Sequence, residues 1–229
     1  RQMCIRDRYR HLAPHAPGTA TAELVNGVDL APTVLSLAGV AVPEYMQGRA
    51  IAGPGGMPPR EFDYTLRDRM DERYDLSRAV TDARYSYVRH YMPHLPAGQH
   101  LDFLWRQESM REWDEARRAG TLSPEQAAFF QERQPEELYD LQADPDNVRN
   151  LAADPAYREP LERLRAANRA HLLRIRDAGF MPEAMMIAAA GEGSPRAITA
   201  DESVYPLPRL LDLIDRMQMS PDADDVSAA

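Results

Sequence analysis

Apolar residues recur along this chain at two spacings, and the spacing sorts the segments into strands and helices. Residues 23–28 form a short apolar run of strand type. A helical stretch follows, with Asp29 as cap, Pro32 in the first turn, a buried face of Val34, Leu35, Leu37 and Ala38, and Gly39 as the left-handed stop. Four β-rich pieces bounded by polar turns lie at 62–66, 76–80, 85–91 and 137–141. The second and third are joined by 81–84, which suits a hairpin. On the third, Tyr85, Tyr87, Arg89 and Tyr91 share one face, and Ser86, Val88 and His90 share the other.

Helical spacing returns further on. Leu101, Leu104, Trp105, Trp113 and Ala116 mark a helix ending near Gly120, and Ser123 to Gln126 is a capping box that opens another. Asp154 and Pro155 begin the clearest helix, with Tyr157, Leu161, Leu164, Leu172 and Ile175 on its apolar side and a stop at Gly179. Leu207, Leu210, Leu211 and Ile214 predict a short amphipathic helix that docks back on the body. Residues 53–59 hold neither helix nor central strand and read as a linker.

Composition narrows the class. With 229 residues, 44% of them hydrophobic, the chain can bury a core. It has no run near the roughly 18 apolar residues that a spanning helix needs. A count of 12 Gly, 19 Pro and one Cys excludes collagenous and disulfide-stapled classes. A net charge of −9 argues against non-specific nucleic-acid binding. All 27 basic residues are Arg, so only guanidinium groups are available to grip an oxyanion.

Three segments in order resemble the sulfatase family, in its C-terminal part. The first is Val28-Asp29-Leu30-Ala31-Pro32-Thr33, with Leu35, Leu37-Ala38-Gly39, Pro43 and Met46-Gln47-Gly48-Arg49. The second runs from Arg78 through Asp82 and Arg84-Tyr85 to Val88-Arg89. The third is Glu137-Leu138-Tyr139-Asp140-Leu141, with Asp144-Pro145 and Asn150-Leu151-Ala152; Asn147 stands where many family members have Glu. The likeness is greatest to bacterial sulfatases similar to heparan N-sulfatase. It implies an α/β, alkaline-phosphatase-like architecture. Residues 9–52 would end the large catalytic domain, 53–60 link, and 61–180 form a C-terminal subdomain of antiparallel sheet and helix. Residues 181–229 are an extension with a short helix and an acidic tail, and 1–8 read as a non-native leader.

The resemblance also implies hydrolysis of a sulfuric ester or sulfamate by a formylglycine, made from Cys or Ser in a C/S-x-P-x-R motif, beside Ca²⁺ held by Asp and Asn oxygens. Cys4 to Arg8 imitates that motif, but Arg6 occupies the required proline position. The nucleophile and the Ca²⁺ ligands are therefore expected outside this chain, which would bind no metal, be inactive alone and contribute substrate-pocket wall. An exported or periplasmic location is implied by the family alone.

The densest charged stretch, Arg67, Asp68, Arg69, Asp71, Glu72 and Arg73, supplies forks for sulfate and carboxylates for sugar hydroxyls. His94 and His100, in a loop rich in Pro and Gly, can hydrogen-bond a sugar. The same residues also read as a solvated loop of internal ion pairs and surface histidines. His90 and His94 stand four apart, but Pro93 and Pro96 break any helix that would pair them on zinc. Two other readings remain open: a stand-alone module that binds an anionic ligand, and a phosphatase-type member of the same superfamily.

Overall fold

The computed structural model describes residues 18–219; Cys4, the proposed leader and the acidic tail lie outside the described residues. The described chain divides into two compact units. One comprises residues 18–63 with Thr81–Arg84, and the other comprises Tyr64–Val80 with 85–219.

In the first unit, Asn26 opens a 3₁₀ turn, Gly27–Asp29, through a reciprocal capping box with Asp29, and helix α1, Leu30–Leu37, continues from it. Gly39 ends the helix at φ 73°. Two expectations fail here. Residues 23–28 form no strand, because Asn26 and Asp29 commit the 26–29 backbone to turn chemistry. Asp29 does not cap α1. Its wholly buried carboxylate accepts from the Asn26 and Arg49 backbone N–H groups, each at 2.9 Å, and from the Arg60 guanidinium. Gly48 lies against this turn, where an added Cβ would fall 2.0 Å from the Val28 carbonyl oxygen.

The second unit is built on a four-stranded sheet, β1 Asp63–Arg67, β2 Ser77–Thr81, β3 Tyr85–His90 and β4 Glu136–Asp140, in the order β1-β2-β3-β4. The four β-rich sequence pieces correspond to these strands within a residue or so. The last two pair antiparallel, with Tyr87 opposite Leu138. Between them run three helices: α2 Asp102–Trp105, α3 Glu108–Arg118 and α4 Pro124–Ala128, the last with the expected Ser123–Gln126 capping box. The predicted single helix over 101–120 is thus two, separated at Gln107, which is extended. The indole N–H of Trp105 reaches the buried Asp114 carboxylate across that break at 3.3 Å.

Helix α5, Arg158–Ile175, packs on β3. Val80, Tyr87 and Leu138 of the sheet and Leu164 of the helix are fully buried, and burial of such side chains is the main favourable term in folding. The helix stops at Ile175 rather than at Gly179. Arg176 takes the left-handed conformation at φ 54°, and the Asp177 N–H closes back onto the Leu172 carbonyl at 3.1 Å. Beyond it come α6 Glu183–Ala190, α7 Pro195–Thr199 and α8 Leu207–Met219. Leu207 and Leu211 of α8 join Leu172 and Tyr205 in one buried cluster, so the expected amphipathic helix docks through its apolar stripe.

Where α5 crosses the sheet, Arg165 forks onto Glu136 at 2.6 and 2.7 Å, and the Tyr87 hydroxyl donates to the same carboxylate at 2.6 Å. Burial alone would raise the Glu136 pKa, but the Arg165 and Tyr87 bonds outweigh it and hold it below the usual glutamate range. A carboxylate whose folded pKa is lowered stabilises above its unfolded value, about 4.3, and loses that contribution as pH falls through the folded one. Acid unfolding followed by circular dichroism is therefore expected to show the wild-type chain losing stability below about pH 4.5. Glu136→Gln should be less stable at neutral pH and lose less over the same interval.

Candidate functional site

Residues 68–76 connect β1 to β2 and, with Arg67 at the end of β1, carry the six charged candidates. Met70 and Arg73 exchange backbone hydrogen bonds of 2.8 and 2.9 Å, making a tight turn with Asp71 at φ 47°. Asp71 and Glu72 sit at the tip of that turn. The Asp71 carbonyl accepts from Arg69 at 2.7 Å, and the Glu72 carboxylate accepts the Asp102 N–H at the start of α2 at 3.1 Å.

The remaining charges are anchored to different parts of the fold. Arg69 forks onto Glu183 of α6 at 2.9 and 3.0 Å, with both side chains about two-fifths exposed. Arg73 donates to the His100 carbonyl at 2.6 Å. Arg67 pairs with buried Asp75 at 3.1 Å and donates to the Ala97 carbonyl at 3.2 Å. His100 lies 3.2 Å from Asp102 and against the Trp105 ring, while His94 is exposed in the 91–100 loop. The structure thus gathers residues 67–73 with His100 on one loop pair and leaves His94 apart from their contacts.

Two buried guanidinium–carboxylate forks lie beneath this loop, and neither was singled out from sequence. Arg78 of β2 binds Asp177 at 2.5 and 3.0 Å, and donates to Asp68 at 2.8 Å and to the Arg67 carbonyl at 3.3 Å. Burial would lower the Arg78 pKa, but Asp177 and Asp68 raise it above the ordinary value. Arg133 binds Asp75 at 2.7 and 3.0 Å and also reaches the Leu95 and Met92 carbonyls. One fork therefore holds the loop's first residues, and the other ties its last to the 91–100 loop. Gly179 completes the first fork, since a Cβ there would lie 2.1 Å from the Arg78 guanidinium. The usable sequence signal was Asp177 two residues before a glycine, just past the end of a long helix.

Asp68, Arg69 and Glu183 rim a cleft of about 480 Å³ floored by apolar groups, among them Tyr74, Phe180 and Met186. A second trough of about 460 Å³ crosses the strands and includes Arg67, His90, Arg133, Glu137 and the Phe129 ring. Within it, His90 shares a 2.8 Å hydrogen bond with Ser77 and stands 3.2 Å from Glu137. Burial would raise the Glu137 pKa, and the His90 and Tyr139 contacts outweigh it and lower it. His90 is thus committed within the sheet, away from any pairing with His94. Among the described residues no cluster of three or more His, Cys, Asp or Glu side chains suits a metal ion.

Over 188 residues the chain is 35% identical to an ulvan-active sulfatase of Formosa agariphila, covering 81% of this chain and 32% of that one. The chain is homologous to part of a sulfatase. A second ulvan-active sulfatase of the same organism is 27% identical over 155 residues, 65% of this chain and 28% of the other. The chain spans about a third of the length of these curated relatives. No family model matches it. Among solved structures, a putative sulfatase from Bacteroides thetaiotaomicron aligns over 64% of this chain and 24% of its own, at 25% identity and a TM-score of 0.42. A 2-O GAG sulfatase aligns over 69% and 27%, at 23% identity and a TM-score of 0.46.

In this chain, removing one partner of a buried fork leaves an uncompensated charge, which typically costs about 3–5 kcal/mol. Asp177→Asn is expected to lose stability of that order in urea unfolding. Gly179→Ala should also destabilise, by displacing Arg78, whereas Glu183→Gln at the exposed pair should change stability by less than about 1 kcal/mol.

Proposed function

We propose that this chain is the C-terminal part of a sulfatase that hydrolyses sulfuric esters or sulfamates on sulfated glycans, and that it supplies substrate-pocket wall. The 35% identity to an ulvan-active sulfatase over most of the chain carries this reading. The relatives' named activity on ulvan supports a sulfated polysaccharide as the substrate class.

The loop chemistry fits that role. A guanidinium matches two sulfate oxygens in one plane, and charge-assisted forks of this kind are the strong ones. Arg69 is the candidate best placed to change partner. Its pair with Glu183 is exposed on both sides and so weak enough for a substrate sulfate to displace. Asp68, Asp71 and Glu72 offer carboxylate oxygens to sugar hydroxyls, while His94 and His100 offer ring nitrogens from the neighbouring loop. Arg67 and Arg73 complete the positive edge, each partly committed to the fold.

The calcium and formylglycine that the resemblance implies belong, in this proposal, to polypeptide outside the chain. Asp29, Asp75, Asp114 and Asp177 are each bonded to guanidinium groups rather than converging as an oxygen cage. What the residues of the 67–73 and 91–100 loops do is bind and orient a sulfated ring. An exported location follows from the family reading, and no helix among the described residues is long and apolar enough to cross a membrane.

Two measurements test the proposal. The isolated chain should turn over neither 4-nitrophenyl sulfate nor sulfated ulvan fragments and should show no Ca²⁺-dependent thermal shift; clear activity would place the nucleophile within it. The second uses a chimera in which this chain replaces the matched stretch of the Formosa agariphila enzyme. There, Arg69→Ala should raise KM about tenfold or more with kcat nearly kept, the loss of one charge-assisted bond. Unchanged kinetics would reduce the loop to a surface ion-pair network.

A further inference from the structure

The alternation that places Val88 and His90 on one face of β3 leads to a group of side chains that the charged loop does not use. Glu136 turns toward α5, where Arg165 binds it and Tyr87 donates to it, and Arg78 turns toward Asp177 just past the end of that helix. Ser77, His90 and Glu137 lie an odd number of residues from these positions, so they share the opposite face of three neighbouring strands. All three line the trough of about 460 Å³.

Their spacing is that of a proton relay. The Ser77 Oγ lies 2.8 Å from His90 Nδ1, and His90 Nε2 lies 3.2 Å from a Glu137 oxygen. Burial works against charge on Glu137, but the His90 and Tyr139 contacts outweigh it, so this carboxylate is an ionised acceptor at neutral pH. The imidazole therefore carries its proton on Nε2 and turns a lone pair at Nδ1 toward the Ser77 hydroxyl. The Ser77 oxygen accepts from Arg133 Nη1 at 3.3 Å, and the other acceptor in reach, Asp75, is farther off at 3.4 Å, which leaves the hydroxyl proton to His90. Nε2 is buried and its approach to Glu137 is not aligned as a hydrogen bond, a looseness common in catalytic groups before substrate binds.

We propose that Ser77, His90 and Glu137 are the nucleophile, general base and orienting carboxylate of a site that hydrolyses short-chain carboxylic esters, an activity separate from sulfate-ester cleavage. The Ser77 Oγ attacks the ester carbonyl carbon and its proton passes to His90 Nδ1. The bond from that carbon to the alkoxy oxygen then breaks, and the alcohol leaves with the proton. Water adds to the acyl-serine and gives a proton to His90; the acyl–Oγ bond breaks, Oγ recovers the proton and the carboxylic acid departs. The Arg133 guanidinium, fixed by its fork on Asp75, is the donor beside Oγ for the oxyanion that forms on the carbonyl oxygen at each step. Leu66, Val88, Ala97, Ala128 and the Phe129 ring give the trough apolar walls, which suit an uncharged ester with a small acyl group.

The test uses the full chain, 4-nitrophenyl acetate as substrate and diisopropyl fluorophosphate as a serine probe, with adducts located by peptide mass spectrometry. The native chain should hydrolyse the ester with turnover and carry the phosphoryl adduct on Ser77. Ser77→Ala and His90→Gln should each lower kcat/KM by about a hundredfold or more. Glu137→Gln should lower kcat about tenfold or more with KM nearly kept. Ser203→Ala, at an exposed turn, should change neither turnover nor labelling. Absence of an adduct on Ser77 in the native chain would overturn the proposal whatever the variants do, as would ester hydrolysis that Ser77→Ala leaves intact. The sulfatase reading stands or falls separately, because neither reagent carries a sulfate.

Discussion

The arrangement of the candidate site depends on two guanidinium–carboxylate forks buried beneath residues 67–75. Arg78 with Asp177 and Arg133 with Asp75 place planar donors against planar acceptors, and each has further N–H groups left to fix neighbouring backbone or side chains. The desolvation cost of burying such charges is large, so their net stabilisation is small. What they contribute is position. One fork reaches the Arg67 carbonyl and Asp68, the other reaches the Met92 and Leu95 carbonyls, and the charged loop is held between them. A chain without lysine is suited to this device, because an ammonium group cannot fork.

Much of the sheet was legible in the sequence, since its signals are local. Polar turns bounded four β-rich runs, and these become the four strands within a residue or so. The Leu207–Leu211 stripe likewise foretold which face of α8 is buried. Element ends were less legible, because partners remote in sequence set them. Helix α5 stops early at Arg176, and Asp177 then faces Arg78, 99 residues away in the chain. No periodicity reports such a pairing.

The candidate site was legible as composition but not as a set of bonds. The charge run over 67–73 stands out in the sequence, yet the side chains that fix it, Asp75, Arg78, Arg133 and Asp177, come from β2, a loop and the end of a helix. Reading α1 failed for a different reason. Its pattern identifies which face is apolar, and the structure leaves that face in water while burying Ser36 and Asp29. Pattern specifies a face that wants covering; it does not say which polypeptide covers it.

The fork-held loop is tested most directly by amide hydrogen exchange at Met70 and Arg73, whose N–H groups bond only across the tight turn. If the forks fix the loop, both amides are protected in the native chain, and Arg78→Met removes that protection while the β3–β4 amides keep theirs. Exchange at the rate of an open loop in the native chain, or protection unaltered by Arg78→Met, would contradict the account.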